Sequence, residues 1–232
     1  MGLPMYFDDN GYNRYNDLDG LEWRIIHALV NSDSKYGKYL WKLLKYNTPD
    51  CLMNDELNNK EKYKMVYRDN GDAGNYNVFL LPFIDDGWTK QASRLDVYVS
   101  RIEPFDQVRS KVDVTLEIIV HNKINNVYGD ADEEENPLTN PTETDEDGNI
   151  LIPTKSRATT ILKCVLAILN GLYVDGVGTL QCNQLTSPYC GVKSYVWNDR
   201  SYFGYSVTFS TVMAQESVNP DCGWEGGGLC EN

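Results

Sequence analysis

Residues 155–183, KSRATTILKCVLAILNGLYVDGVGTLQCN, contain the strongest helical pattern of the chain and pass directly into a second element. The apolar positions cover more than one stripe of a helix, which predicts a largely buried helix; they are Ile161, Leu162, Val165, Leu166, Ile168, Leu169 and Leu172. Thr154 or Ser156 can cap its start, and Asn170-Gly171 supplies a left-handed residue at its end. We therefore predict that this helix anchors the core and leads into a strand over 176–182.

Length and composition favour one elaborated domain. The chain has 232 residues, of which 41% are apolar, enough to bury one sizeable core. We expect an N-terminal arm over 1–20, a single domain over 21–215 with an acidic insert over 123–153, and a C-terminal tail over 216–232. No charged-then-apolar leader and no apolar run near about twenty residues is present, so neither secretion nor membrane insertion is expected.

Negative charge is concentrated in one segment. The formal net charge is −13, and residues 130–147 hold nine acids and no Lys or Arg. These acids are Asp130, Asp132, Glu133, Glu134, Glu135, Glu143, Asp145, Glu146 and Asp147. Without them the charge would be −13 + 9 = −4. Because DNA binding requires cations that replace phosphate counterions, this composition disfavours a DNA-gripping role.

The N-terminal third has helical spacing. Apolar residues from Leu21 to Val30 predict a first helix, and Ser34 caps a second helix that Pro49 stops. A third, strongly charged helix over 54–66 is expected on the surface. A turn at Asp69-Asn70-Gly71 and a short strand over 78–84 follow.

Alternation of apolar and polar residues predicts the sheet. It begins over 94–102 and is strongest over 111–122, and later strands are expected over 191–197 and 202–213. In the strongest segment Val112, Val114, Leu116, Ile118 and Val120 share one face, whereas Lys111, Asp113, Thr115, Glu117 and His121 lie mostly on the other. One face should be buried and the other solvated or covered by a partner. The predicted fold class is α+β: a mainly antiparallel sheet with helices packed on one face and an N-terminal helical extension.

Metal sites are weakly supported. The segment from Glu143 to Asn149 resembles the front half of a calcium loop, but its twelfth position would be Thr154 instead of a bidentate Glu, and a hairpin tip leading into a strand at 149–152 is favoured. The six cysteines are Cys51, Cys164, Cys182, Cys190, Cys222 and Cys230. They form no CxxC pair, so free thiols are expected. The spacing from Cys182 to Cys190 equals that from Cys222 to Cys230, which leaves a four-sulfur zinc site open.

Catalytic signatures are absent from the sequence. The two histidines, His27 and His121, lie in apolar helical and polar strand contexts and are expected to be structural. No Walker loop, nucleophile elbow or zinc-protease motif occurs. We predict no enzyme, no catalytic, cofactor-binding or metal-binding residues and no cofactor. A metal hydrolase that uses the acidic cluster is the least favoured alternative.

Aromatic residues are frequent in segments expected to be loops or arms. They include Tyr6, Phe7, Tyr12, Tyr15, Trp88, Tyr189 and Trp224. Such residues suit protein contact surfaces, and ordinary packing at the edge of the core explains them equally well.

The order of elements resembles a known structural family. Helices precede RLDVYVSRIEPFDQVRSKVDVTLEIIVHN (94–122), an insert follows, and SRATTILKCVLAILNGLYVDGVGTL (156–180) leads to the closing strand RSYFGYSVTFSTVMA (200–214). Over about residues 92–213 this pattern is similar to the tail terminator and neck ring (head-to-tail connector) proteins of tailed bacteriophages. The Asn- and Tyr-rich acidic composition also resembles neck rings of crAss-like gut phages.

This resemblance implies a structural role in the virion, assembled in the host cytoplasm. It implies a homo-oligomeric ring of roughly six or twelve copies that contacts portal, adaptor or tail proteins. DNA would pass through without specific binding, and no membrane is involved. The alternative is a non-catalytic protein- or carbohydrate-binding module.

Overall fold

A computed structural model shows how the chain folds around this helix. The structure describes residues 20–67, 76–82, 90–104, 109–128, 154–185, 187–197 and 200–214. Its helices are α1 (Leu21–Val30), α2 (Lys35–Lys45), α3 (Asn59–Lys64) and α4 (Arg157–Leu169). Its strands are β1 (Val78–Phe79), β2 (Ser93–Pro104), β3 (Arg109–His121), β4 (Asn126–Tyr128), β5 (Thr154–Ser156), β6 (Tyr173–Val174), β7 (Gly178–Thr179), β8 (Gly191–Trp197) and β9 (Tyr202–Ala214).

The main sheet has the order β1-β2-β3-β9-β8. All neighbours in it are antiparallel except β1 and β2, which are parallel. Helices α1 and α2 pack against β2, and α4 packs against β3 and β9, so the helices lie on one face. The predicted α+β fold with a mainly antiparallel sheet is therefore confirmed.

The core lies between this face and the helices. On β3 the predicted apolar set, Val112, Val114, Leu116, Ile118 and Val120, is fully buried, and Val207 and Phe209 of β9 continue it. The same core includes apolar residues of α1, α2 and α4. Burial of each such side chain stabilises the fold by roughly 1.5–3 kcal/mol before the loss of chain entropy is counted.

The opposite face of the sheet is more covered than the alternation suggested. Asp113, Thr115 and Ile119 all lie on it and are buried. A bulge in β2 between Val99 and Arg101 leaves Ser100 without a partner residue on β3, and the Ser100 hydroxyl accepts a hydrogen bond from Thr115 Oγ1 at 2.8 Å. Side chains on this face therefore form hydrogen bonds with one another, and others on the same face are exposed to solvent.

Helix α4 begins and ends where the sequence placed it. The Ser156 hydroxyl accepts from the Thr159 backbone N–H, and Gly171 takes φ +83° after the last turn. Ile161, Val165, Ile168 and Leu169 are buried, whereas Leu162, Leu166 and Leu172 pack only partly against the core. The buried stripe is narrower than predicted because the helix rests on the sheet and on α2, leaving its outer side exposed.

Arg157, the first residue of α4, is fully buried. Its guanidinium donates to the carbonyls of Leu43 (2.9 Å), Tyr46, Thr48 (2.7 Å) and Ile124 (2.8 Å). Two of these carbonyls lie at the end of α2, where the helix dipole favours a cation. This single side chain ties α2, α4 and the end of the β3 segment together.

The prediction for the second helix is closer to the structure than the prediction for the third. Ser34 caps α2 by accepting from the Gly37 N–H at 3.1 Å, as predicted. The charged third helix is much shorter than 54–66, and Lys62 within it is buried because its ammonium donates to the Val30 carbonyl at the end of α1 (2.8 Å). A cation at a helix C-terminus is again the physical reason.

Two predicted strands are shortened. The strand expected over 78–84 is described only as β1, and residues 83–84 lie outside the described residues. Instead of one strand over 176–182, the chain forms the hairpin β6–β7 and a single bridge from Gln181 to Ser210 of β9. Gly176 and Gly178 take φ +68° and +95°, which reverses the chain too early for a longer strand.

Candidate assembly surface

Strand β8 forms an open edge of the main sheet. It pairs with β9 on one side, and among the described residues no strand pairs with its outer side. Five of its seven residues are exposed, and Val192, Tyr195 and Val196 are large apolar side chains among them. An exposed edge with unpaired backbone groups is a template for pairing with another chain.

The loop before β8 extends this apolar surface. Leu185 is 94% exposed, and Tyr189 is exposed beneath the Arg101 guanidinium, 4.1 Å from its ring centroid. Five of the ten large apolar side chains that are exposed in the described residues therefore fall within 185–196. We call residues 185–197 the edge segment.

The edge segment lies in a part of the chain that contains no acids. From Gly176 to Asn198 the only charged residue is Lys193, although the whole chain carries −13. Two copies that meet through this surface would avoid the repulsion that their other surfaces produce.

The other edge of the sheet, at β1, is partly covered. The chain around Val66 pairs with β1, since the Tyr67 N–H donates to the Val78 carbonyl at 2.8 Å. Tyr67 also stacks on Phe79 at 5.4 Å and meets Tyr76 edge-on at 5.2 Å. We call Tyr67, Tyr76 and Phe79 the β1 cluster. It lies at the edge of the main sheet opposite the edge segment.

A buried acid–hydroxyl cluster anchors the loop that precedes β8. Ser187 is fully buried and its hydroxyl donates to Asp113 Oδ2 at 3.2 Å. Asp113 Oδ1 and the hydroxyl of Ser210, its partner residue on β9, have no hydrogen-bond partner. The contact fixes the edge segment against the polar face of the sheet.

A second buried acid lies on β2. Arg94 Nε and Asp96 Oδ1 are 2.6 Å apart, and the Arg94 guanidinium also stacks on the Phe79 ring of the β1 cluster at 3.8 Å. Burial raises the pKa of Asp96 to about 7; Arg94 acts in the opposite direction, and the adjacent Glu117 adds to the rise. Burial dominates because Asp96 Oδ2 has no partner that would stabilise its charge.

An open groove of about 1190 Å³ lies at the end of the sheet where β9 terminates. Helix α1 contributes Trp23, Arg24 and His27 to it, and the β6–β7 hairpin contributes Tyr173 and Gly176. A side chain at position 176 would collide with the Arg24 guanidinium, so the glycine leaves space for this cation in the groove.

The two histidines occupy unrelated places. His27 lines the groove, where its Nδ1 is hydrogen-bonded to the Tyr63 hydroxyl. His121 ends β3 and its Nδ1 accepts from the Lys123 N–H at 3.1 Å; burial, followed by Lys123, lowers its pKa. The structure does not bring the two rings together into one site.

The cysteines show no metal centre in the described part of the chain. Cys51, Cys164, Cys182 and Cys190 are free thiols, and burial raises the pKa of each. No group of three or more His, Cys, Asp or Glu within the described residues can hold a metal ion. Cys222 and Cys230, the other half of the four-sulfur alternative, lie outside the described residues.

The acidic insert leaves the fold from a defined stem. Strands β4 and β5 pair with Tyr128 opposite Thr154, and Asn125 Oδ1 accepts from the Ala158 N–H at the start of α4 (3.0 Å). The acidic run at 130–147, the half calcium loop and the strand expected at 149–152 lie outside the described residues. Thr154, the weak twelfth position of that calcium loop, is part of the stem.

Most aromatic residues singled out in the sequence cannot be placed. Tyr6, Phe7, Tyr12, Tyr15, Trp88 and Trp224 lie outside the described residues, as does the turn at 69–71. Tyr189 alone among them is described, and it belongs to the edge segment. Sequence analysis missed the rest of this surface, although Val192, Tyr195 and Val196 in an acid-free stretch were a usable signal.

Comparison with known proteins places the chain in a phage context. A family model whose name is that of a phage-derived protein matches residues 38–211, well over half of the chain, and the match includes the whole edge segment. The chain is therefore a phage-associated protein with an α+β fold. It belongs to the YomW family.

The other comparisons add no further relatives. No curated protein and no solved structure matches the chain. Within the described residues, no helix combines the length and the apolar character needed to cross a membrane.

Proposed function

We propose that this protein is a structural component of the virion that assembles into a ring at the neck or tail junction, as a tail terminator or head-to-tail connector. The observation that carries the proposal is the open, apolar and acid-free edge segment on a protein of a phage family. The ring contains roughly six or twelve copies and contacts portal, adaptor or tail proteins. It has no catalytic role.

Contact between copies uses two different surfaces. The edge segment and the β1 cluster lie on opposite edges of the main sheet. A contact between unlike surfaces repeats from copy to copy and closes into a ring when the rotation per copy divides a full turn. Aromatic side chains on both surfaces supply the contact area that such interfaces favour.

The acidic insert has a role in the same assembly. Its stem is joined to the end of β3 by residues 122–125, so the segment that contains the nine acids is attached at that end of the sheet. At the inner rim of a ring these acids repel the phosphates of passing DNA, because like charges at short range are only partly screened by salt. DNA therefore passes without specific binding.

Native mass spectrometry of the purified chain, alone and with a portal-side partner, tests the proposal. We expect a closed multimer of defined copy number. Val196→Glu, which places a charge on the edge segment, should yield a folded monomer. Met53→Glu is the matched control, because Met53 and Val196 are each 57% exposed and Met53 lies outside the sheet. Assembly of both variants would rule out the edge segment as the contact.

The groove beside α1 favours a second candidate, a non-catalytic binding module for protein or carbohydrate. Its aromatic lining of Trp23, Tyr63 and Tyr173 suits either ligand. A wild-type chain that stays monomeric with and without partner, and binds a soluble ligand that Tyr173→Ala weakens, would replace the ring proposal with this one.

A further inference from the structure

The groove beside α1 contains the cation Arg24. Within the described residues no carboxylate lies within ion-pair distance of Arg24, although ion pairs form elsewhere on the surface. Asp175 lines the same groove but makes no such pair. The lack of a side chain at Gly176 leaves room for the guanidinium in the groove.

Aromatic rings line the same groove as this cation. Trp23 belongs to α1, Tyr63 belongs to α3, and Tyr173 of the β6–β7 hairpin is 68% exposed. The His27 ring stacks on Tyr63 with centroids 6.1 Å apart, which fixes one wall of the groove. An extended peptide that combines acidic and aromatic residues is the ligand that this combination suits.

The chain itself supplies such a peptide at this place. Val212 and Met213, near the end of β9, line the groove, and the C-terminal segment 215–232 begins two residues after Met213. That segment, QESVNPDCGWEGGGLCEN, contains four acids and no Lys or Arg, and Trp224 is followed directly by Glu225. Cys222 lies eight positions beyond Ala214, a reach of roughly 26 Å when extended.

We infer that the groove is the binding site of the chain's own C-terminal segment 215–232, with its acids against Arg24 and Trp224 among the aromatic rings. The N-terminal arm is less complementary because it contains Arg14. The groove is distinct from the edge segment, so this inference is independent of the ring proposal. Because the peptide is tethered, it needs only weak intrinsic affinity to occupy the site.

Disulfide trapping in the full-length chain tests this inference. Tyr173→Cys places a thiol at the groove, and Cys222 and Cys230 are its natural partners in the segment. Under mild oxidation we expect an intrachain link, located by peptide mass mapping, to form at least about tenfold faster than in Tyr195→Cys, an exposed control on β8. A rate no higher than that of the control would overturn the inference.

Further outcomes identify other occupants. Links only between two chains would show that the groove binds a second copy, and would overturn assignment to the same chain. A rate that rises when residues 1–19 are deleted would identify the N-terminal arm as the occupant and would overturn it as well.

Charge reversal tests whether Arg24 binds the acids of the C-terminal segment. With Tyr173→Cys in place, Arg24→Glu should slow the link about tenfold, whereas Lys193→Glu, a reversal on β8, should leave the rate unchanged. Equal rates in all three proteins would exclude recognition through Arg24. Circular dichroism of each variant confirms that the fold is retained.

Discussion

Arg157 illustrates how a side chain that the sequence presents as part of a polar helix start becomes part of the core. It directly follows the Ser156 cap, and arginine side chains are mostly exposed in folded proteins. In the structure it is fully buried because the carbonyls of Leu43, Tyr46 and Thr48 converge on it. Such long-range convergence has no local signature, so the sequence could not reveal it.

Replacement of this side chain should be costly. Arg157→Met leaves four buried or half-buried carbonyls without their donor, and we expect the free energy of unfolding to fall by about 3 kcal/mol or more. Urea unfolding followed by circular dichroism measures the change. Arg157→Lys keeps the charge but has fewer donors, so its free energy of unfolding should lie between those of wild type and Arg157→Met. If Arg157→Met were as stable as wild type, these hydrogen bonds would be energetically neutral.

Asp96 should make stability depend on pH. Its pKa is about 7 in the folded protein, mainly because of burial, and about 3.9 in the unfolded chain. Between these values the folded state binds the proton more tightly, so this group's contribution to stability falls as pH rises from about 4 to 7.

The variant Asp96→Asn isolates this effect. It retains an oxygen that can accept from Arg94 but cannot ionise, so its stability should decline less than that of wild type between pH 5 and pH 8. Parallel urea titrations at the two pH values provide the comparison. Parallel declines in both proteins would show that Asp96 does not titrate in this range.

At the scale of elements, sequence periodicity and capping residues predicted the buried face of β3 and the starts of two helices. The apolar alternation of β3 gave its buried face, and the caps Ser34 and Ser156 located two helices. The covering of Asp113 by Ser187 and the early reversal at Gly176 depend on tertiary contacts and were not predictable. The close approach at Gly204, where any Cβ would lie 1.7 Å from the Ile118 carbonyl oxygen, is similarly invisible in the sequence.

Helix α4 offers a test of its buried stripe. Periodicity places both Val165 and Leu166 in that stripe, but only Val165 is fully buried. Val165→Asp should reduce stability by several kcal/mol and abolish soluble protein, since it buries an unpaired charge. Leu166→Asp should cost clearly less because water can reach its carboxylate.

Expression yield and thermal unfolding of the two α4 variants provide the measurement. Val165→Ala serves as a control for lost volume without added charge. Equal damage from the two Asp substitutions would mean that the outer side of α4 is covered by something else.

At the scale of the whole molecule, charge and apolar surface are separated. The edge segment contains Lys193 as its only charged residue, while the insert contains nine acids. The stem of the insert lies at the end of the sheet opposite the groove, because His121 of β3 pairs with Tyr202 and Arg109 pairs with Ala214. Each copy therefore carries the edge segment along one edge of the sheet and the attachment point of the acidic insert at one end.

Neutralising the nine acids of 130–147 to Asn and Gln tests the channel role. The change raises the formal charge of each copy from −13 to −13 + 9 = −4, and assembled rings should then retain DNA in co-sedimentation at low salt. A variant with the order of residues 130–147 permuted keeps every acid and is the control. Imaging that places the insert on the outer perimeter of the ring would refute this role.

The stem of the insert has a practical consequence. Since Tyr128 and Thr154 face each other as neighbours on paired strands, the two ends of the excursion are already held together. Its length can change at small entropic cost, because loop closure depends only logarithmically on the number of residues. The site is therefore a natural position for grafting: a fluorescent domain or an affinity tag can be spliced between the two strands while the helices and sheet keep their arrangement.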